Sequence, residues 1–187
     1  MAEKIKVNYV DHVSIAVNDV QKAEQEYCQF FGWDVVERYH DDDAQINVTC
    51  FALGPTTLEI MEDKLSGGWY ELQDDKGNLV VSGPGDKTRW VKKSVPQPEG
   101  EMGPTGEWIA KKNHGREGVQ VVSFNVDDIH TATEKFKAND GKIVSYGGKE
   151  IQPWEGTNRS YVFLHPKPLH GIVLEFIDGA YAWKKSK

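Results

Sequence analysis

Two stretches of this chain match at a fixed offset, and that repetition restricts the architecture more than any other feature. With residue 11 placed over residue 120, Val13 falls on Val122, Ser14 on Ser123, Val17 on Val126 and Asp19 on Asp128. The match continues through Val20 and Ile129, Ala23 and Ala132, Gly32 and Gly141, and Val35 and Val144. A match that runs through a strand, a helix and the start of a further strand marks a duplicated unit, and a duplication dictates architecture.

Each copy has the same readable shape. Residues 9–17 alternate as a half-buried strand does. Asn18-Asp19 offers a side-chain oxygen to cap a helix predicted over Val20–Phe31, with Ala23, Tyr27, Phe30 and Phe31 on its buried stripe. Gly32 ends it, and a strand is predicted over Val35–Arg38. In the second copy Asp127-Asp128 caps a helix over Ile129–Ala138, and Ile143–Tyr146 restarts the sheet. A hairpin completes each copy: 46–53 with 57–62 around Gly54-Pro55, and 160–166 with 171–178 around 167–170. Neither half has a second layer to cover its sheet alone. The predicted fold class is α+β, with tandem βαβββ modules forming a curved mixed sheet and helices outside. The first module takes residues 1–62 and the second 107–187, with a Trp-containing insertion at 63–106.

A formal net charge of −7 argues against a nucleic-acid surface, because phosphate binding needs a basic face. No apolar run approaches membrane-spanning length, and the first residues lack the apolar core of a secretion signal. Cys28 and Cys50 are then expected as free thiols in a reducing cytoplasm. The expected partner is a small-molecule substrate, with no nucleic acid and no membrane, and the chain is expected to form a homodimer.

The stretches "DHVSIAV", "FFGW", "EWIAKKNHGREGV" followed by "VDDI", and "NRSYVFLHPKPLHGIVLEF" resemble the vicinal oxygen chelate superfamily of glyoxalases, bleomycin-resistance proteins and dioxygenases. Within it they are most similar to methylmalonyl-CoA epimerase-like proteins. The resemblance covers residues 8–62 and 107–178. It implies a divalent metal ion held on a concave face by the first and last strands of each half. His12, Glu59 and Glu175 match such ligands, with Co, Mn, Ni, Zn and Fe not distinguished. Glu59 sits between Leu58 and Ile60, and Glu175 lies within "VLEFI", settings where a bare carboxylate is costly and a cation would neutralise it.

Opposite His12 the repeat places Val121, which cannot ligate. Three arrangements stay open: three protein ligands with water or substrate completing the set, Gln120 turning in through a bulge, or His114 or His170 reaching across. The strand expected to supply a proton-abstracting base presents Asn47 and Thr49, which can orient substrate or hold an enolate oxygen but cannot act as base. Glu59 or Glu175 would then double as base. The candidate catalytic residues are Glu59, Glu175, Asn47 and Gln120. Thr49, Asn158, Arg159, Trp69 and Trp90 are candidates for substrate binding.

The insertion predicts a hairpin at 69–83 turning at Asp75–Asn78, a further strand at 88–95 and an irregular linker at 96–106. It reads either as a decorative hairpin or dimer contact, or as a lid over the pocket. The leading function is a metal-dependent isomerase or epimerase acting on a small carboxylate, carbonyl or acyl-CoA substrate. It would chelate adjacent oxygens and stabilise an enolate-like charge. The alternatives are a non-haem iron dioxygenase or glyoxalase-type lyase, and a non-catalytic binding module of the resistance type.

Overall fold

The computed structural model describes residues 2–42, 44–65, 70–93, 102–145, 148–154, 157–169 and 172–179. The chain divides into two compact units, Met1–Val13 with Val121–Lys187, and Ser14–Gln120. The division falls inside strand β1 (Tyr9–Val17).

In the Ser14–Gln120 unit, helix α1 (Val20–Phe31) is followed by strands β2 (Val35–Asp41), β3 (Ile46–Leu53) and β4 (Thr56–Asp63). The caps follow from the sequence. Asp19 accepts a hydrogen bond from the Lys22 backbone N–H at 2.8 Å, and Gly32 takes the left-handed conformation at φ 66°. β2, β3 and β4 pair antiparallel in chain order. The buried stripe of α1 is shorter than expected. Val20 and Ala23 are buried, whereas Phe30 is 70% and Phe31 56% exposed. Tyr27 instead stacks on Phe51, and Phe31 stacks on Trp33 at 4.4 Å, so the end of the helix forms a surface aromatic cluster.

The insertion forms strands β5 (Tyr70–Asp74), β6 (Ser82–Pro84) and β7 (Thr88–Lys92). The expected turn is present: Asp74 Oδ1 accepts from the Lys76 and Asn78 backbone N–H groups. The chain leaving it does not become the regular second arm of a hairpin. The two arms meet at a bridge between Gln73 and Leu79, with the Val80 N–H donating to the Leu72 carbonyl at 3.0 Å, and go no further; β5 pairs with β7, and β6 pairs along β2. The cause lies in Arg38, whose Nη1 donates to the carbonyls of Gly85 and Thr88 at 2.7 and 2.5 Å and draws this stretch onto β2. The expected irregular linker ends in a helical turn, α2 (Pro104–Glu107), continued by a π-turn over Trp108–Lys112.

The other unit carries β8 (Gly118–Asn125, of which Val121–Asn125 belong here), α3 (Ile129–Ala138), β9 (Gln152–Trp154), β10 (Arg159–Leu164) and β11 (Val173–Ile177). The strand order is β8-β11-β10-β9, parallel between β8 and β11 and antiparallel elsewhere. Asp128 caps α3 as Asp19 caps α1. The second glycine of the repeat behaves differently. Asp140, not Gly141, has the positive φ, and a Cβ on Gly141 would lie 2.4 Å from the Phe136 ring, so glycine is required there for close approach. Val126, Ile129, Ala132, Val162, Leu164 and Phe176 form the core. The expected strand at 143–146 reduces to an isolated bridge between Ile143 and Leu164, and Tyr146 lies outside the described residues. The three residues of β9 pair with β10 instead.

Within the larger unit, Asn47 donates to Glu62 Oε2 at 2.9 Å, and burial pushes the Glu62 carboxyl up from 4.5 to about 8 despite that bond. The folded chain therefore holds this proton more tightly than the unfolded one. The stability this supplies is complete below about pH 4.5 and is lost as pH rises through about 8. Urea unfolding across pH 5 to 9 should show stability falling by roughly 2–4 kcal/mol, and Glu62→Gln should flatten that slope.

Candidate functional site

In the unit containing β8 and β11, the first strand brings His12 to the last strand. His12 Nε2 lies 3.2 Å from Glu175 Oε2, and both residues are 4% exposed. Glu175 Oε2 accepts no hydrogen bond among the described residues. On its other side, His12 Nδ1 lies 3.2 Å from Asp11 Oδ1, which takes a 2.6 Å bond from Arg159 Nη2. Side chains directly across paired strands share a face. The register sets Glu175 across from Phe163 and Ser123, Val173 across from Val121, and Arg159 across from Trp154. Trp154, Tyr161 and Phe163 thus line the face that bears Glu175, meeting edge to face at 6.3 and 5.4 Å. Val121 lies on that face too, so the alternation of strand side chains turns its chain neighbour Gln120 the other way. Gln120 is buried, and its carboxamide oxygen is without a hydrogen-bond partner among the described residues.

The Ser14–Gln120 unit holds Glu59. It is buried, accepts from Ser14 Oγ at 2.9 Å and has the Tyr39 hydroxyl 3.4 Å away. Cys50 stands across from Glu59, and Glu37 across from Cys50, so the three form one row over β4, β3 and β2. Asn47 and Thr49 take the alternate positions of β3 and point to the opposite, helix-covered face. Asn47 contacts His40 at 2.6 Å as well as Glu62. Thr49 donates to Glu24 on α1 at 2.9 Å and accepts from Trp90 Nε1 at 2.8 Å. Arg38 closes this network with two bonds to Glu24, at 2.7 and 2.6 Å. The structure therefore does not bring Asn47, Thr49 and Trp90 to the face of Glu59. Burial lowers the His40 pKa below its usual value.

The remaining candidates are dispersed. Asn158 is an exposed turn residue before β10, while Arg159 is buried against Asp11. His114 sits in an exposed turn at φ 56°. Trp69 and His170 lie outside the described residues.

Residues 9–153 match the family model of the Glyoxalase/Bleomycin resistance protein/Dioxygenase superfamily. The chain belongs to this superfamily. It is 23% identical over 173 residues to the mitochondrial methylmalonyl-CoA epimerase of Dictyostelium discoideum, covering 92% of this chain and 79% of that protein. It is 21% identical to the ethylmalonyl-CoA/methylmalonyl-CoA epimerase of Cereibacter sphaeroides, covering 90% and 96%. The crystal structure of methylmalonyl-CoA epimerase from Mycobacterium tuberculosis superposes with a TM-score of 0.66 at 18% identity, covering 100% of this chain and 97% of that one. That likeness establishes the vicinal oxygen chelate fold.

The superfamily resemblance implies a divalent metal, and the His12–Glu175 pair can be tested against one. Two ligand atoms each about 2.1 Å from an ion lie about 3 Å apart at right angles. The observed 3.2 Å agrees, as does a buried carboxylate oxygen with no hydrogen bond. These two residues fit as part of a ligand set. Among the described residues, no group of three or more His, Cys, Asp or Glu side chains is placed to hold an ion.

Sequence reading missed Glu37 and the aromatic row of Trp154, Tyr161 and Phe163. The signal for Glu37 was its alternation with Tyr39 along β2, but strand register, which puts it level with Glu59, is a property of pairing. If Trp90 and Thr49 serve the fold, as their bond indicates, Trp90→Phe should cost about 1–3 kcal/mol in chemical denaturation and leave metal content unchanged.

Proposed function

We propose that the chain is a divalent-metal-dependent epimerase acting on the carbon beside a carbonyl, with an acyl-CoA thioester as the substrate class. The observation that carries this reading is the buried approach of His12 Nε2 to Glu175 Oε2, 3.2 Å apart. The names of the curated relatives supply the substrate class. In this reading His12 and Glu175 hold the ion, and the sequence repeat adds Glu59 as the third ligand. When bound, the ion supplies positive charge that stabilises the negative charge growing on substrate oxygens as the proton leaves.

The protein's own groups do the rest. Glu37 takes the proton from carbon: it is the carboxylate level with Glu59 on the same sheet face, two strands away. Two strand spacings give about 10 Å between Cα atoms, enough for a small acyl group between the side chains. Trp154, Tyr161 and Phe163 give the sheet face that bears Glu175 an apolar surface suited to the hydrocarbon part of an acyl group. Asn158, exposed at the turn before β10, is a candidate contact for a phosphate or carboxylate of the substrate. Asn47, Thr49 and Trp90 serve this reading indirectly, by holding β3 against its helix. The protein works on a small molecule, as a cytoplasmic homodimer.

One feature favours a second reading. Val121 occupies the face of Glu175 at the place where the repeat would put a second histidine, which suits a binding module without chemistry.

Elemental analysis and proton exchange separate the two. The enzyme reading expects near-stoichiometric divalent metal and incorporation of deuterium at C2 of methylmalonyl-CoA or a close acyl-CoA in heavy water. His12→Ala and Glu175→Ala should lose metal while keeping the fold by circular dichroism. Glu37→Gln should keep metal and slow exchange by about 100-fold or more. Metal-free protein that binds acyl-CoA without exchange would establish the binding module.

A further inference from the structure

We infer that Asp11 and Arg159 act as positioning residues that fix the orientation and tautomer of His12. This rests on the reading that His12 is a metal ligand. Asp11 Oδ1 stands between the two, 3.2 Å from His12 Nδ1 and 2.6 Å from Arg159 Nη2. Asp11 and Arg159 are both buried, so neither drifts among solvent-supported rotamers. Arg159 is itself clamped: its guanidinium carbon lies 4.9 Å from the centre of the Trp154 ring, across from it in the β9–β10 pairing. The same ring meets His12 edge-on at 6.4 Å. The imidazole is therefore gripped at Nδ1 by a carboxylate and at its side by an indole.

The chemistry follows from this placement. A carboxylate oxygen facing Nδ1 accepts the proton carried there, so that an ion seated between His12 and Glu175 meets the Nε2 lone pair. A carboxylate behind the outer nitrogen also makes the inner one a stronger donor to a metal. Arg159 keeps Asp11 in this role: a carboxylate buried without a cation carries an uncompensated charge and would turn away or lose its ability to accept. The duplication agrees. In the second copy the imidazole is replaced by Val121, and the preceding carboxylate is replaced with it, by Gln120. Asp and His are present together or absent together.

The test uses the full-length protein stripped of metal by chelator. Nitrogen-15 NMR of the histidine rings after zinc is added back, with His12 assigned by its loss in His12→Gln, should find the proton on Nδ1. The Nε2–H tautomer in the wild-type protein overturns the inference without recourse to any variant. Cobalt(II) binding is then followed by its visible absorption. Asp11→Asn and Arg159→Met should each weaken binding by about 10- to 100-fold and alter the cobalt spectrum, with Arg159→Lys recovering part of the loss. Should Arg159→Met fail to fold, the double variant Asp11→Asn/Arg159→Met, which removes both buried charges, replaces it, with the same weakening expected. Wild-type affinity and spectrum in the folded variants overturn the positioning role alone. Absence of cobalt binding by the wild-type protein overturns the metal reading and this inference with it.

Discussion

A carboxylate enclosed by apolar strands has to be met by something, and Glu175 is met by an imidazole. Burial of an isolated carboxylate costs several kcal/mol. Glu175 lies between Leu174 and Phe176 with one oxygen facing His12 Nε2. His12 is in turn held by Asp11, and Asp11 by Arg159. The chain of polar contacts runs from the last strand through the first to β10, inside a unit whose other face is packed with aliphatic and aromatic side chains. Removing any link would strand a buried charge, so the contacts are mutually dependent.

Sheet alternation sorts the rest. On β3, odd-numbered Asn47, Thr49 and Phe51 face the helix, while Val48 and Cys50 share a face with Glu59. The polar residues of the first group were conspicuous in the sequence because of their type. Their direction made them parts of a support: Glu24 binds both Arg38 and Thr49, and Thr49 receives the indole N–H of Trp90. The insertion thereby becomes an extra layer on the helix-covered side of this unit's sheet. Polar residues buried on such a face carry structure, whereas Glu37 on the other face is half exposed.

Much of the fold was legible in the chain itself. The repeat, the two aspartate caps, the long strands and the paired acidic residues are local patterns of spacing and residue type, and local patterns survive translation into sequence. The exceptions were all matters of pairing. Residues 82–84 look like the tail of a hairpin, but Arg38 claims the carbonyls of Gly85 and Thr88. Ile143–Tyr146 reads as a strand by composition, yet regular pairing at that edge is made by Gln152–Trp154. At the candidate site, His12 and Glu175 were visible as ligand types in apolar settings. The link from Asp11 to Arg159 was not, because it joins residues 148 positions apart and no periodicity connects them.

The small strand β6 has an effect beyond the insertion that carries it. A sheet whose outermost strand leaves its N–H and C=O groups unpaired can capture an extended segment of another molecule. β6 covers that flank of β2 with only three residues, and its last, Pro84, has no N–H to offer a newcomer. The loop that decorates this duplicated fold thus also works as a guard, shielding the sheet from adding foreign strands and so from aggregation.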